Sequence, residues 1–338
     1  MNGLSWRQGA GQAGVIYGIC CICGAAKTRE STFHSSFPVL TKKAFCRRCT
    51  RSLNQSFTGG GGDYNFEFIF IDDGSKDNTL EALRRLACEE AGVRYISFSR
   101  NFGKEAAMLA GLEAARGEYA VILDADGQDP PALIPQMLEA VSSGAYDCAS
   151  TRRVNRLGEP PVRSFFARRF YAFMAKVTDI EVVDGARDFR LMNRKYIDAV
   201  LSLPERGRFS KGIFPWVGFK TKWFEYENIK RRAGETKWSF WKLFVYSLDG
   251  IIAFSSKPLA IASVFGILLF AAALIFVVYI IIRKLILRLP DSGWSSLMCI
   301  ILFISGIQLF TTGILGQYIA KIYTEVKQRP HYIIKESK

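Results

Sequence analysis

The stretch "FEFIFIDDGSKDNTLEALRRLACEEAGVRYISFS", Phe66–Ser99, decides the fold. FEFIFI (Phe66–Ile71) suits a buried strand, and DDGS ends it with two acids and a turn. TLEALRRLACEEAG then reads as a helix and VRYISFS as a second strand. The cycle continues outward. GKEAAMLAGLEAARG is a helix closed by Gly117, YAVILD a strand, and PPALIPQMLEAVSSG another helix. Strand–helix alternation predicts an α/β domain with a mostly parallel, doubly wound sheet. Such sheets bind ligands beyond the carboxyl ends of their strands. Two acidic clusters fall at those ends, Asp72-Asp73 and Asp124-Ala125-Asp126.

The second cluster asks for compensation, because like charges held close together and away from water are costly. Residues i and i+2 of a strand face the same way, so Asp124 and Asp126 can share one site. Hard oxygen ligands suit Mg2+ or Mn2+, which also bind phosphates. Only His34 and His331 are present, both outside the motif-bearing region, which excludes a Ser–His or Cys–His nucleophile.

Composition adds a membrane. Of 338 residues, 49% are hydrophobic, and the excess is local. Residues 258–282 and 294–319 carry no charge. At about 1.5 Å per helical residue, each is long enough to cross a bilayer core of roughly 30 Å. Two transmembrane helices place the short loop 283–293 on one side and both termini on the other. Lysines and arginines flank the spans on both sides, so they do not fix the orientation. Residues 201–256 are rich in Trp, Phe, Tyr and Lys, the composition of an interface helix beginning near Lys237. The net charge of +14 is concentrated in residues 1–60 and in TRRVNRLGEPPVRSFFARRF, Thr151–Phe170. Basic surface beside membrane spans suits anionic or phosphorylated lipid. The neighbouring aromatics follow a helical apolar pattern rather than an RNA-reading motif, so nucleic acid is not an expected partner.

DDGSKDNT, RNFGKEAA, LDADGQDPP, DFRLMNR and RRAGETKW, in that order, resemble glycosyltransferase family 2 with a GT-A fold. With the two spans, the likeness is to bacterial polyprenyl-phosphate (bactoprenol) glucosyltransferases and to dolichol-phosphate mannose synthase. It covers about residues 66–328. The resemblance implies roles for individual positions. Asp72 and Asp73 hold the nucleoside of a sugar nucleotide, Lys104 favours the donor phosphates, and Asp124 touches the donor. Asp126 and Gln128 ligate Mg2+ or Mn2+ on the diphosphate, and Asp188 is the carboxylate near the reacting centre. Arg152, Arg153, Arg163, Arg168, Arg231 and Lys237 are candidates for the phosphate of the polyprenyl acceptor. A Gln-x-x-Arg-Trp motif of processive synthases is absent from the sequence, which favours transfer of a single sugar.

The resemblance fails before residue 63. Five of the eight cysteines lie between Cys20 and Cys49. Three readings stand. Cys20, Cys23, Cys46 and Cys49 form a Zn2+ ribbon; or residues 1–62 are translated from a shifted frame or a misassigned start; or the segment is a divergent but working first strand, which Val15–Cys23 is apolar enough to fill, and helix. The expected organisation is therefore an atypical segment 1–62, a transferase domain 63–230, an amphipathic interface helix 231–257, spans 258–282 and 294–319, and a basic cytoplasmic tail 320–338. The expected activity is metal-dependent, inverting transfer of one hexose, glucose from UDP-glucose, onto undecaprenyl phosphate. It would serve cell-wall or surface-polysaccharide glycosylation. The expected location is the inner (plasma) membrane, multi-pass, with the catalytic domain cytoplasmic. A homo-oligomer is compatible with this reading. The alternative is a membrane-anchored zinc-ribbon binding protein with a degenerate transferase domain.

Overall fold

The computed structural model describes residues 16–23, 65–124, 129–153, 183, 185–226, 252, 254–287 and 293–338; for 16–23 it describes the backbone. The chain divides into two compact units, Met1–Tyr171 with Val182–Trp238 and Pro330–Lys338, and Ala172–Glu181 with Ser239–Arg329.

In the first unit the predicted alternation is present. Strand β1 spans Ile16–Cys23 and β2 Asn65–Asp72. Helix α1 (Thr79–Glu89), β3 (Val93–Phe98), α2 (Lys104–Ala114) and β4 (Tyr119–Asp124) follow. A 3-10 turn at Pro131–Leu133 leads into α3 (Ile134–Ser142). Beyond it come β5 (Cys148–Arg153), β6 (Ala186–Asn193), α4 (Arg194–Leu201), α5 (Ser210–Trp216) and β7 (Thr221–Tyr226). The strands form one sheet in the order β7-β5-β6-β4-β1-β2-β3-β8, where β8 is Ile334–Ser337 near the chain's end.

Alternation along β2 sends Phe68 and Phe70 to one face and Ile69 and Ile71 to the other. The first pair joins Leu83 and Leu86 of α1, Ile134 and Met137 of α3, and Val121 and Leu123 of β4 in the main core. Helix α2 packs against β1 and β2. It is buried from Ala106 to Leu112, which explains why it lacks a polar stripe.

The expectation of a mostly parallel sheet is corrected. Five of the seven ladders are antiparallel. Strands β2, β3 and β4 do run the same way, as right-handed crossovers require. However, β1 lies between β2 and β4 and runs against both. Strand β6 returns against β4, and β8 against β3.

Strand β1 thus fills the slot between β4 and β2 in the sheet. Its extended backbone is paired on both sides throughout Tyr17–Ile22, so no turn separates Cys20 from Cys23. A zinc ribbon needs a turn there to bring two thiolates to one ion. Cys46 and Cys49 lie outside the described residues. Among the described residues no group of three or more His, Cys, Asp or Glu side chains is placed to hold a metal ion.

Within the expected basic tail 320–338, α7 runs on to Val326 and Ile334–Ser337 forms an edge strand. Backbone bonds join Tyr95 and Lys338 in both directions, at 3.2 and 3.0 Å. Glu336 pairs with Arg84 at 2.5 Å and accepts from the Tyr95 hydroxyl. Tyr332 stacks on Phe98 at 4.8 Å between ring centroids. Covering the edge of β3 removes a row of unpaired backbone groups.

The second unit contains α6 (Lys257–Leu287) and α7 (Trp294–Val326). Both outrun the predicted spans, α6 by several residues into the expected loop. Tyr318 of α7 donates to the Ser255 carbonyl at 2.6 Å. Among the described residues, one helix segment, Lys257–Ile280, meets the length and apolarity needed to cross a membrane. Large apolar side chains such as Ile267, Phe270 and Ile275 are exposed along it. Helix α7 covers the predicted second span and likewise exposes Phe303, Leu309 and Phe310.

Candidate active site

The acidic strand ends meet at one edge of the sheet. Asp72 pairs with Ile16 and Asp124 with Tyr17 of the intervening β1, so they stand two strand spacings apart, about 10 Å. The register of β4 with β6 runs from Tyr119 opposite Asn193 to Ile122 opposite Arg190. Continued by two residues, it brings Asp188 opposite Asp124. Like charges directly opposed on neighbouring strands are destabilising.

Lys104 resolves this conflict. It opens α2, after Gly103 with a φ of 95° turns the chain into the helix. Its Nζ lies 2.6 Å from Asp124 Oδ2 and 2.7 Å from Asp188 Oδ2. Burial alone would lower the ammonium, but the Asp188 and Asp124 carboxylates outweigh it and hold Lys104 above its ordinary value. The reciprocal holds for Asp188. Burial works to raise its carboxyl, while Lys104 and Lys211 overcome that and keep it below the usual range. The pair is therefore ionised at neutral pH, with Asp188 a weak base.

Asp72 and Asp73 are occupied within the chain. Asp72 Oδ1 accepts from the Ser75 amide at 3.1 Å and Oδ2 from Ser97 Oγ at 2.8 Å. Asp73 accepts from the amides of Phe102 (2.6 Å) and Gly103 (3.0 Å). Burial pushes the Asp73 carboxyl up, against these two amide bonds, which favour its charge. Asp73 thereby fixes the RNFG loop just ahead of Lys104. Gly74 completes the joint. Its φ is +65°, and a Cβ there would stand 2.4 Å from the Arg100 carbonyl carbon.

Asp129, in LDADGQDPP, carries no role that the sequence makes legible, and the structure gives it one. Its side chain is 1% exposed. It accepts from the Tyr226 hydroxyl at 3.0 Å, pairs with Arg187 at 3.5 Å, and receives the Asp124 amide at 3.4 Å. It ties both ends of the segment 124–129 to β6 and β7. Glu105 and Ser210 also escaped sequence reading. Glu105 follows Lys104, and its carboxylate takes two bonds from Ser210, from the amide and from the hydroxyl, each 3.0 Å.

Of the predicted site residues, Asp72, Asp73, Lys104, Asp124 and Asp188 gather at this edge. Arg152 and Arg153 end β5 at the same edge. Arg152 is half-buried and paired with Glu225. Asp126, Gln128, Arg163, Arg168, Arg231 and Lys237 lie outside the described residues. A divalent cation fits what is described. Asp124 Oδ1 is a buried carboxylate oxygen with no hydrogen-bond partner among the described residues. Such an oxygen suits a hard cation.

The sequence profile of "Glycosyl transferase family 2" matches residues 37–201, beginning inside the segment set apart as atypical. An uncharacterized glycosyltransferase of Bacillus subtilis is 42% identical over 81% of this chain and 84% of its own. A bactoprenol glucosyl transferase of Shigella phage SfII is 40% identical over 81% of this chain and 88% of its own. A prophage bactoprenol glucosyl transferase homolog of Escherichia coli has the same identity, over 81% and 90%.

Proposed function

This chain belongs to glycosyltransferase family 2, and from that premise we propose that it moves one hexose from a nucleotide sugar onto a polyprenyl phosphate. The specific reading is glucose from UDP-glucose onto undecaprenyl phosphate, with inversion, at the cytoplasmic face of the inner membrane. The observation that carries it is the Asp124–Lys104–Asp188 bridge, which assembles the family's motifs into one charged edge. The names of the phage and prophage relatives support the lipid acceptor.

The chemistry matches the side chains. A phosphate monoester has a second pKa near 6, so the acceptor is already an anionic nucleophile at neutral pH. A strong base is not required. Asp188, kept ionised by Lys104, orients the reacting groups rather than removing a proton. Asp72 and Asp73 stiffen the nucleoside rim through their internal bonds. Asp126 and Gln128 would hold the divalent metal, with Asp124 Oδ1, unpartnered among the described residues, beside them in sequence. When bound, that ion stabilises charge on the departing diphosphate. Arg152, Arg153, Arg163, Arg168, Arg231 and Lys237 would draw the acceptor phosphate toward the donor.

Connectivity supports two crossings of the membrane. The chain leaves the sheet after β7 and rejoins it at β8. Between them it must cross a bilayer an even number of times. With α6 as one crossing, α7 is the natural second. The test is a donor screen. Membranes containing the full chain are incubated with undecaprenyl phosphate and labelled UDP-glucose, UDP-galactose, GDP-mannose or UDP-N-acetylglucosamine. UDP-glucose should label the lipid fraction most strongly. Failure of every donor with folded protein would overturn the proposal.

A further inference from the structure

The Glu105–Ser210 pair reaches Asp188 at Oδ1, the carboxylate oxygen that Lys104 does not hold, and neither residue is explained by donor or metal binding. Ser210 is the first residue of α5, and its Oγ sits 3.0 Å from Glu105 Oε1 and 3.5 Å from Asp188 Oδ1. The residue is 5% exposed, so water does not readily replace either contact. A hydroxyl carries one proton, and two carboxylates compete for it. Asp188 Oδ2 is already held by Lys104 at 2.7 Å. Whichever way the Ser210 proton points therefore decides whether Asp188 is gripped at both oxygens or at one.

We infer that Ser210 and Glu105 are positioning residues for Asp188: when Glu105 carries a proton it donates to Ser210 Oγ, and Ser210 in turn donates to Asp188 Oδ1. When Glu105 is ionised, the Ser210 proton turns to it and Asp188 loses that hydrogen bond. The Ser210 amide bonds Glu105 Oε2 in either state. The pair thus couples the orientation of the reactive carboxylate to a proton that is not part of the transfer. The surroundings make both states accessible. Burial and the Asp188 charge push the Glu105 carboxyl up to about 7, against the two Ser210 bonds and Lys104. The charged groups facing it are Asp188 from β6, Lys104 from its own helix, and Arg208 from the segment before α5. None of these titrates in the same range: Asp188 is held low and Lys104 high.

The inference rests on the proposed transfer, since Asp188 must face the reaction. Three proteins test it as full chains in membranes: Ser210→Ala, Ser210→Thr and Glu105→Gln, beside the native protein. Loss of a hydrogen bond to a charged group predicts a fall in kcat on the order of ten-fold or more for Ser210→Ala, with donor KM little changed. Ser210→Thr, which keeps the hydroxyl, should restore most of that loss. The native kcat should fall as pH rises through about 7. Glu105→Gln should flatten that limb, because the amide cannot ionise and keeps a donor toward Ser210. Native kcat and pH profile in both Ser210→Ala and Glu105→Gln would overturn the inference. So would equal losses in Ser210→Ala and Ser210→Thr. If the native protein itself labels no lipid, it is the proposed transfer that fails. The thermal midpoint of Glu105→Gln against pH then still reads the Glu105 proton: a native-like pH slope refutes the inference, and a flattened slope supports its proton.

Discussion

Lys104→Met is the most informative single change. It removes the ammonium that separates two carboxylates placed opposite each other by strand register, and methionine keeps the length and packing of the stem. Removing one member of a buried ion pair costs about 3–5 kcal/mol. Here the three side chains are 29%, 17% and 15% exposed. Partial solvent screening trims the expectation to about 2–3 kcal/mol. For a unit of this size that lowers the thermal midpoint by roughly 5–10 °C. The pH dependence carries a sign. In the native protein the Asp188 carboxyl is held below its ordinary 3.8, so its stabilisation is present above that value and fades as pH falls through the lower folded one. In the variant, Asp188 faces Asp124 with no cation between them, which raises its folded value. That arrangement is most stable in acid and weakens as pH rises. The deficit should therefore be largest at about pH 7.5 and shrink toward about pH 4.5. Light scattering of the detergent-solubilised full chain during heating reads both midpoints. An unchanged midpoint at neutral pH, or a deficit that grows in acid, would refute the bridge as the device that makes this edge tolerable.

Other consequences follow from the same geometry. Gly74→Ala forces a Cβ into the Arg100 backbone at a φ of +65°. It should cost at least about 1–3 kcal/mol and loosen the loop ahead of Lys104, read as a lower thermal midpoint with weaker donor binding. Deleting residues 331–338 uncovers the edge of β3 and removes the Tyr332–Phe98 stack. The truncated protein should aggregate at lower temperature, visible by size-exclusion chromatography. Glu105 contributes a stability slope of its own. The fold prefers its protonated form, so that stabilisation is full below about 4.5 and is lost as pH rises toward about 7. Glu105→Gln should flatten the melting profile over that window by about 3 kcal/mol. Asp126→Ala should abolish sugar transfer while leaving the melting temperature close to native, as judged by activity and heating assays together.

The sequence was most readable where local pattern and tertiary role agree. Phe66–Ile71, Val93–Ser99 and Tyr119–Asp124 are apolar runs bounded by turns, and each became a strand within a residue or two of its expected limits. The acidic ends marked the candidate site because like charges held close together and away from water are costly. Strand direction was less accessible. Antiparallel β1, β6 and β8 bear no local mark of the partner each selects, so the mixed sheet could not be read from alternation alone. The tail strand was hidden by its composition, because its lysines suggest solvent while its anchor is Glu336 on Arg84 and Tyr95. Within the site, Lys104 was legible from the motif that carries it. The Asp188–Ser210–Glu105 network was not, since it joins residues 22 and 105 positions apart. Asp129 did offer a signal: it closes the same short acidic stretch that begins at Asp124.

The proposed activity is transfer of a single sugar to a lipid phosphate. Its most direct measurement is mass spectrometry of the lipid extract after the full chain, in membranes, has been given UDP-glucose, Mg2+ and undecaprenyl phosphate. Single transfer gives a new species heavier than the acceptor by one hexose, absent with Asp126→Ala. An unmodified acceptor, or a ladder of successive hexose additions, would contradict it.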